Sequence, residues 1–390
     1  MIVLAHGIGG RADLPVPFRL ALTGAALAVL ASFAALAVLW PRSRFAGDHA
    51  GRPLPAALGR ALDAGSVRWT ARLLVLAATA LVALVGYFGP GETNFNLAPW
   101  VLYITFWVGL VPASLLLGPV WRSVNPVRTL YAGWTRALGL DPSRGFLRLP
   151  EAVGRWPAAL TLLIFAWLEL VYADRDDPRL VATFISTYAG LQLLLALTFG
   201  DRWFGAWDGF EVYSTLIGRL SPLGRRPGGR WVLRNPLDGL DGLTAVPGTT
   251  AVVCVLLGST AFDGLTRTQR WQQLVPDPAA AVGRATAGLL VMVAVVALAY
   301  VGATWLAGRA AGAASRSMPG TFAHSLVPIV IGYAVAPGRS GLPGAGSHCG
   351  AVPAARRHGG AHRRRHQPAA GRLSRPTLRG CWHGAALVGP

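Results

Sequence analysis

The stretch Thr286-Ala-Gly-Leu-Leu-Val-Met-Val-Ala-Val-Val-Ala-Leu-Ala-Tyr-Val-Gly-Ala-Thr-Trp-Leu-Ala307 decides the fold. It carries no formal charge over its whole length, and a hydrocarbon core of about 30 Å is crossed by roughly 20 such residues of helix. Working outward from it, six more apolar runs recur along the chain: Phe18–Trp40, Ala71–Phe88, Ala98–Trp121, Trp156–Tyr172, Leu180–Phe199 and Gly248–Phe262. The last of these is short and must borrow Val246 or Leu265 to cross. An eighth run opens at Phe322 and stops at Ala336, truncated for a full crossing. A soluble domain has no use for so many segments of this length. The expected fold is therefore all-α, a polytopic transmembrane helix bundle of seven spans plus a truncated eighth, occupying residues 18–335.

Composition agrees with that reading. The chain is 53% hydrophobic and 14% charged, against about 25% charged in an ordinary soluble domain. Every basic side chain other than histidine is arginine, because lysine is absent. This excludes a Walker A phosphate loop, which needs its lysine, and Schiff-base catalysis, which needs an amine. The three cysteines, Cys254, Cys349 and Cys381, make no disulfide framework.

Arginine also sets the expected orientation. The loops at 41–70, 122–155, 200–247 and 308–320 hold nineteen arginines, while the connections on the other side hold six and include the acidic Asp174, Asp176 and Asp177. Cytoplasmic loops retain basic residues, so the arginine-rich side is predicted to face the cytoplasm, with residues 1–17 extracytoplasmic. The expected location is the cell membrane, multi-pass, with the lipid bilayer as the principal partner. Residues 336–390 change character to a Gly-, Ala-, Pro- and Arg-rich block with nine arginines and no acid. Such a block is what an out-of-frame reading of a GC-rich gene yields, and it is expected to be a disordered tail. The competing reading is a basic tail that binds acidic lipid or nucleic acid; no nucleic-acid partner is expected.

Several motifs bear on chemistry. Gly7-Ile-Gly-Gly-Arg-Ala12 loosely fits a dinucleotide fingerprint but lacks the preceding strand, and is rejected. Asn125-Pro126 and Asn235-Pro236 read as turns that end or redirect a helix. Phe210–Leu220 between them reads as an amphipathic interfacial helix, with Arg225 and Arg226 placed to meet lipid phosphates. Ionisable groups near the run ends are functional candidates, because burying them in lipid is costly. On the outer side these are His6, Asp13, Glu92, Glu169 and Asp263. On the arginine-rich side His324 could be joined by Asn125, Arg128, Glu211, Arg234, Asn235 and Asp238.

His6-Gly-Ile-Gly-Gly-Arg-Ala-Asp-Leu-Pro-Val-Pro17, the two Asn-Pro turns, Ser259-Thr-Ala-Phe-Asp-Gly264 and Phe322-Ala-His-Ser-Leu-Val-Pro328 together resemble bacterial membrane proteins known as fenitrothion hydrolase, over residues 5–335. The resemblance implies hydrolysis of the aryl ester bond of an organophosphorothioate. Relatives of that kind continue the last run through a further histidine into more membrane segments, where this chain has its tail; that departure supports the frameshift and puts hydrolysis by this chain in doubt. Hydrolysis needs a water activator and a counter-charge for the phosphoryl oxygens. The expected outer site places a divalent metal on His6, Asp13 and Asp263, with Glu92 and Asp263 in catalysis. The inner alternative uses His324 and Asp238, with Arg128 and Arg234 on phosphate. Two other classes stay open: a transporter in which Glu169 and Asp263 line the pathway, and a noncatalytic subunit that assembles with a second membrane chain.

Overall fold

The computed structural model describes residues 47–243, 246–275, 281–312 and 317–335, with Phe45 and scattered positions between 20 and 34. The first apolar run falls largely outside these residues, as do His6, Asp13 and the block 336–390.

The remaining runs are helices. On the arginine-rich side α1 (Ala56–Asp63) leads into α2 (Gly65–Phe88). Next come α3 (Leu97–Leu117), α4 (Val120–Val124), α5 (Pro126–Ala137), α6 (Trp156–Leu170) and α7 (Pro178–Phe199). Two short helices, α8 (Arg202–Trp207) and α9 (Gly209–Gly218), precede α10 (Pro236–Asp241). The chain then forms α11 (Thr249–Thr266), α12 (Gln269–Leu274), α13 (Val282–Ala310) and α14 (Met318–Val335). Five of these, α2, α3, α7, α11 and α13, are long and apolar enough to cross a membrane; α6 is apolar but has 15 residues. Among the described residues five of the expected crossings meet the length criterion, α6 falls short of it, and the first run lies largely outside them.

Where the apolar surface goes supports a lipid setting. Only 11% of the most apolar window of α2 and of α13 is buried against protein. Leu73, Leu74, Leu81 and Leu84 on α2, and Leu290, Val291, Val295 and Leu298 on α13, stand exposed. Soluble monomers rarely expose contiguous apolar patches beyond a few hundred Å². The protein core lies inside, around Phe165, Phe210, Leu162, Leu216 and Ile217.

Successive helices alternate in direction, and hydrogen bonds join the matching ends. At one end Thr93 Oγ1 donates to the Asp176 carbonyl (2.9 Å), Tyr103 to the Arg175 carbonyl (3.0 Å) and Trp167 Nε1 to Thr286 Oγ1 (2.8 Å). At the arginine-rich end Arg155 N donates to the Pro247 carbonyl (2.7 Å), and Thr250 and Tyr300 both donate to the Pro319 carbonyl. Both Asn-Pro pairs start helices: Asn125 and Asn235 accept backbone N–H groups at the first turns of α5 and α10, with proline at the first helical position.

Two features depart from expectation. The arginine-rich loops carry a small antiparallel sheet, β1 (Arg52–Pro53), β2 (Leu223–Arg225) and β3 (Trp231–Leu233), in the order β1-β3-β2 with Arg52 opposite Leu233 and Arg225 opposite Trp231. Arg225 pairs with Asp63 and lies over the Trp231 ring, and Arg226 donates to the Gly51 carbonyl, so both arginines tie loops together. The segment expected to be an interfacial helix is instead α9, in which nine of ten residues are buried inside the bundle.

Candidate functional site

The placement of α9 follows from a hairpin that begins at Gly200. This residue ends α7 at φ +80°, and a Cβ there would sit 2.7 Å from the Ser143 carbonyl oxygen, so glycine is required. The chain turns and α8 runs back along α7. Trp203 Nε1 donates to Gln192 Oε1 at 2.6 Å, and five residues further on Asp208 Oδ1 accepts from the Tyr188 hydroxyl at 2.5 Å. Partners that retreat along α7 as the chain advances define an antiparallel re-entry. Tyr188 lies about 16 Å from the end of α7, at 1.5 Å per residue. Helix α9 then returns to the same end: Gly209 packs on Ala158 and Leu162, the Ser214 and Ser114 hydroxyls are 2.8 Å apart, and Gly218 abuts Gly118 and Pro119 after α3. Asp208 is the tip.

The tip is a polar knot in an apolar bundle. Asp208 is fully buried and caps α9, with Oδ1 accepting from the backbone N–H groups of Phe210 (3.0 Å) and Glu211 (3.1 Å) as well as from Tyr188. Its Oδ2 accepts from Asn125 Nδ2 at 2.9 Å. The Asn125 oxygen takes the N–H groups of Val127 and Arg128, which forces its amino group toward Asp208. Glu211 is 0% exposed and receives Arg128 in a two-pronged pair, Nε to Oε2 at 3.1 Å and Nη2 to Oε1 at 2.7 Å. The Arg128 guanidinium also lies over Phe204 at 4.8 Å and stands 3.9 Å from Asp201. Asp208 holds four donors, three on Oδ1 and one on Oδ2, and so anchors three helices.

Beside this knot lies a chamber of about 310 Å³. Its walls are Val75, Ala78, Thr79 and Val82 from α2; Val101, Leu102, Thr105 and Phe106 from α3; and Phe184, Ile185, Tyr188 and Ala189 from α7. Trp121, Pro126, Val127 and Phe210 form its floor. Helix α2 touches its neighbours above and below the chamber. At one end Gly86 nests on Ala182 and Ala98, where an added Cβ would meet theirs at 2.7 and 3.2 Å; at the other Arg72 Nε donates to the Ser123 carbonyl at 2.9 Å. Those contacts are about 21 Å apart along α2. Between them α3 runs as a π-helix, Val101–Val108, whose wider turn is closed by Gly109 N on the Ile104 carbonyl at 3.1 Å. Pro112 contributes to this by withholding the N–H that would bond Val108. Ala78 and Thr105 line the chamber and are also exposed on the flank of the bundle, so the chamber opens sideways.

The sequence-derived candidates are dispersed. Glu92 is exposed before the turn Thr93–Phe95. Asp263 is bound to Arg267, one turn on, at 2.9 Å, with Glu169 within electrostatic range. His324 Nδ1 sits 2.8 Å from the Thr321 carbonyl on α14. His6 and Asp13 lie outside the described residues, which leaves Asp263 as the described member of the expected metal triad. Among the described residues no three His, Cys, Asp or Glu side chains gather as metal ligands. Of the inner group, Asn125, Arg128 and Glu211 do converge, whereas Arg234 joins Arg219 on Asp48 at 3.3 and 2.8 Å. Asp208 and Tyr188 were not singled out from sequence. For Asp208 the signal is the Asp-Gly pair opening an apolar run, a helix N-cap pattern; Tyr188, inside the run Leu180–Phe199, has no such local signal.

Comparison with protein-family models, with curated proteins and with solved structures finds no match to this chain.

Proposed function

We propose that this chain is an integral membrane protein that takes a small lipophilic molecule from the bilayer into the chamber beside Tyr188 and passes it across, a transporter-type role. The carrying observation is the chamber itself. It is about 310 Å³, at the small end of the range for ligand pockets, about 300–1,000 Å³, and it opens on the flank that faces lipid. The re-entrant pair α8–α9 supports the same reading. Broken helices with polar tips, buried in protein, are how transporters build sites inside the bilayer, and the Arg128–Glu211 pair is the kind of buried charge that marks such pathways.

Hydrolysis of an aryl phosphorothioate is a second reading, favoured by the residue pattern set out above and by one property of the chamber: a neutral aryl ester is an apolar molecule suited to apolar walls. One preparation tests both. The full chain is placed in proteoliposomes with a solvatochromic neutral aryl reporter, and uptake and aryl phosphorothioate cleavage are followed in parallel. Transport predicts reporter accumulation that Ala78→Phe, which fills the opening, abolishes without any cleavage. Cleavage that survives Ala78→Phe, with no uptake, overturns the proposal.

A further inference from the structure

We infer that the ligand of this chamber is an organic cation, such as an aryl or alkyl ammonium, an inference that rests on the chamber reading above. Five aromatic rings line it in an unbroken chain. Trp121 meets Phe106 at 4.6 Å between centroids, Phe106 meets Phe210 at 5.0 Å, Phe210 meets Tyr188 at 5.3 Å and Tyr188 meets Phe184 at 6.1 Å. Aromatic faces carry the negative side of the ring quadrupole, and cages of such rings recognise ammonium groups. The remaining walls are aliphatic or hydroxyl-bearing, so no side chain lining the chamber is cationic.

The charge behind the rings has the matching sign. Asp208 stands 2.5 Å behind the Tyr188 hydroxyl, fully buried. Its neighbours Glu211 and Asp201 share one guanidinium, that of Arg128. Arg72, near the chamber, is directed to the Ser123 carbonyl and lies over the Trp69 ring. Asp208 takes its four hydrogen bonds from neutral donors, and among the described residues no ion pair is made to it, so its negative charge has no cationic partner; in a low-dielectric interior that charge acts over a longer range than in water. An apolar box alone would accept any neutral molecule. Aromatic walls backed by a buried carboxylate favour a cation and disfavour an anion of the same shape.

The test uses the full chain in nanodiscs of neutral phosphatidylcholine, so that the lipid itself does not concentrate cations. Benzyltrimethylammonium, its uncharged isostere neopentylbenzene and the anion phenylacetate compete against the neutral reporter. The cation is expected to displace the reporter at a concentration at least about tenfold below that of the isostere, and phenylacetate least well of the three. Asp208→Asn, which keeps a capping side chain, is expected to bring cation and isostere close to parity, while Asp63→Asn at a distant carboxylate leaves the ratio unchanged. Should Asp208→Asn not fold, Phe184→Leu serves instead, lowering cation affinity while neutral binding persists. Equal or tighter binding of the isostere to the unaltered chain, or a ratio insensitive to both Asp208→Asn and Phe184→Leu, overturns the inference and leaves the chamber reading standing. Failure of every probe, the reporter included, overturns both.

Discussion

Replacing Arg128 by methionine isolates what the buried pair contributes. The substitution keeps an unbranched stem out to about the position of Nε but removes the charge that sits 2.7 Å from a fully buried Glu211. Asp201, at 3.9 Å from Arg128, loses a weaker partner on the solvent side. Leaving one member of a buried ion pair without its partner costs about 3–5 kcal/mol, or about two to three and a half decades in the folding equilibrium at 1.4 kcal/mol per decade. The contact of the guanidinium with Phe204 adds to the loss. Removing both charges behaves differently, because the desolvation of each ion disappears with it, and an apolar pair in place of a buried ion pair is often neutral or stabilising. Arg128→Met alone is therefore expected to lower the melting temperature in detergent by several degrees. Arg128→Met combined with Glu211→Leu is expected to recover most of that loss. The assay is a double-mutant cycle on thermal unfolding followed by fluorescence-detected size exclusion. A double variant no more stable than the sum of the two single losses would refute the argument that Arg128 and Glu211 stabilise one another.

Other outcomes follow from the same geometry. Asn125→Ala removes the α5 cap and a donor to Asp208, and is expected to cost about 2–4 kcal/mol, from about 1 for the cap and 1–3 for the unpaired carboxylate oxygen, read as a fall in thermal stability that Asn125→Ser partly restores. Gly86→Val places a Cβ 2.7 Å from that of Ala182, and is expected to destabilise the α2–α7 crossing by about 1–3 kcal/mol, seen as faster cross-linking loss between cysteines placed at 85 and 183. Hydrogen bonding from Arg225 holds the Asp63 carboxyl below its ordinary range. Because the folded value is the lower one, the stability this link contributes is present above the unfolded value near 4 and is lost as pH falls through the folded value. Trp231, stacked on Arg225 at 4.1 Å, should report that loss as a fluorescence change on the acid limb, absent in Asp63→Asn. Cysteines at Asn94 and Ser143 should label from opposite faces of sealed vesicles, with Ser143 on the arginine-rich side.

How much could be read without the structure differs from element to element. The apolar runs from Ala71 onward became helices at close to their expected bounds, because a stretch such as Thr286–Ala307 has one way to satisfy its backbone in lipid. The Asn-Pro pairs were legible as turns, since their chemistry is local: an amide that accepts N–H groups and a proline that needs none. Asn125, Arg128 and Glu211 could be named as one group on the arginine-rich side, but their partnership with Asp208 and Tyr188 could not. Phe210–Leu220 looks interfacial in one dimension because a few polar residues interrupt it. In three dimensions its glutamate and its serine face Arg128 and Ser114, which satisfies them inside the bundle.

By itself, then, the chain of residues determined that this protein is a bundle of helices built for lipid, which loops carry its arginines, and where those helices begin. These properties depend on hydrophobicity and on caps, interactions summed over neighbours in the chain. The tertiary structure alone decided that the chain re-enters at Gly200, that Asp208 stands at the tip, and that five aromatic rings from four separate segments close around one space. That outcome rests on contacts such as Asn125 with Asp208, 83 residues apart, and Ser114 with Ser214, 100 apart, and no local pattern encodes a distance of that kind.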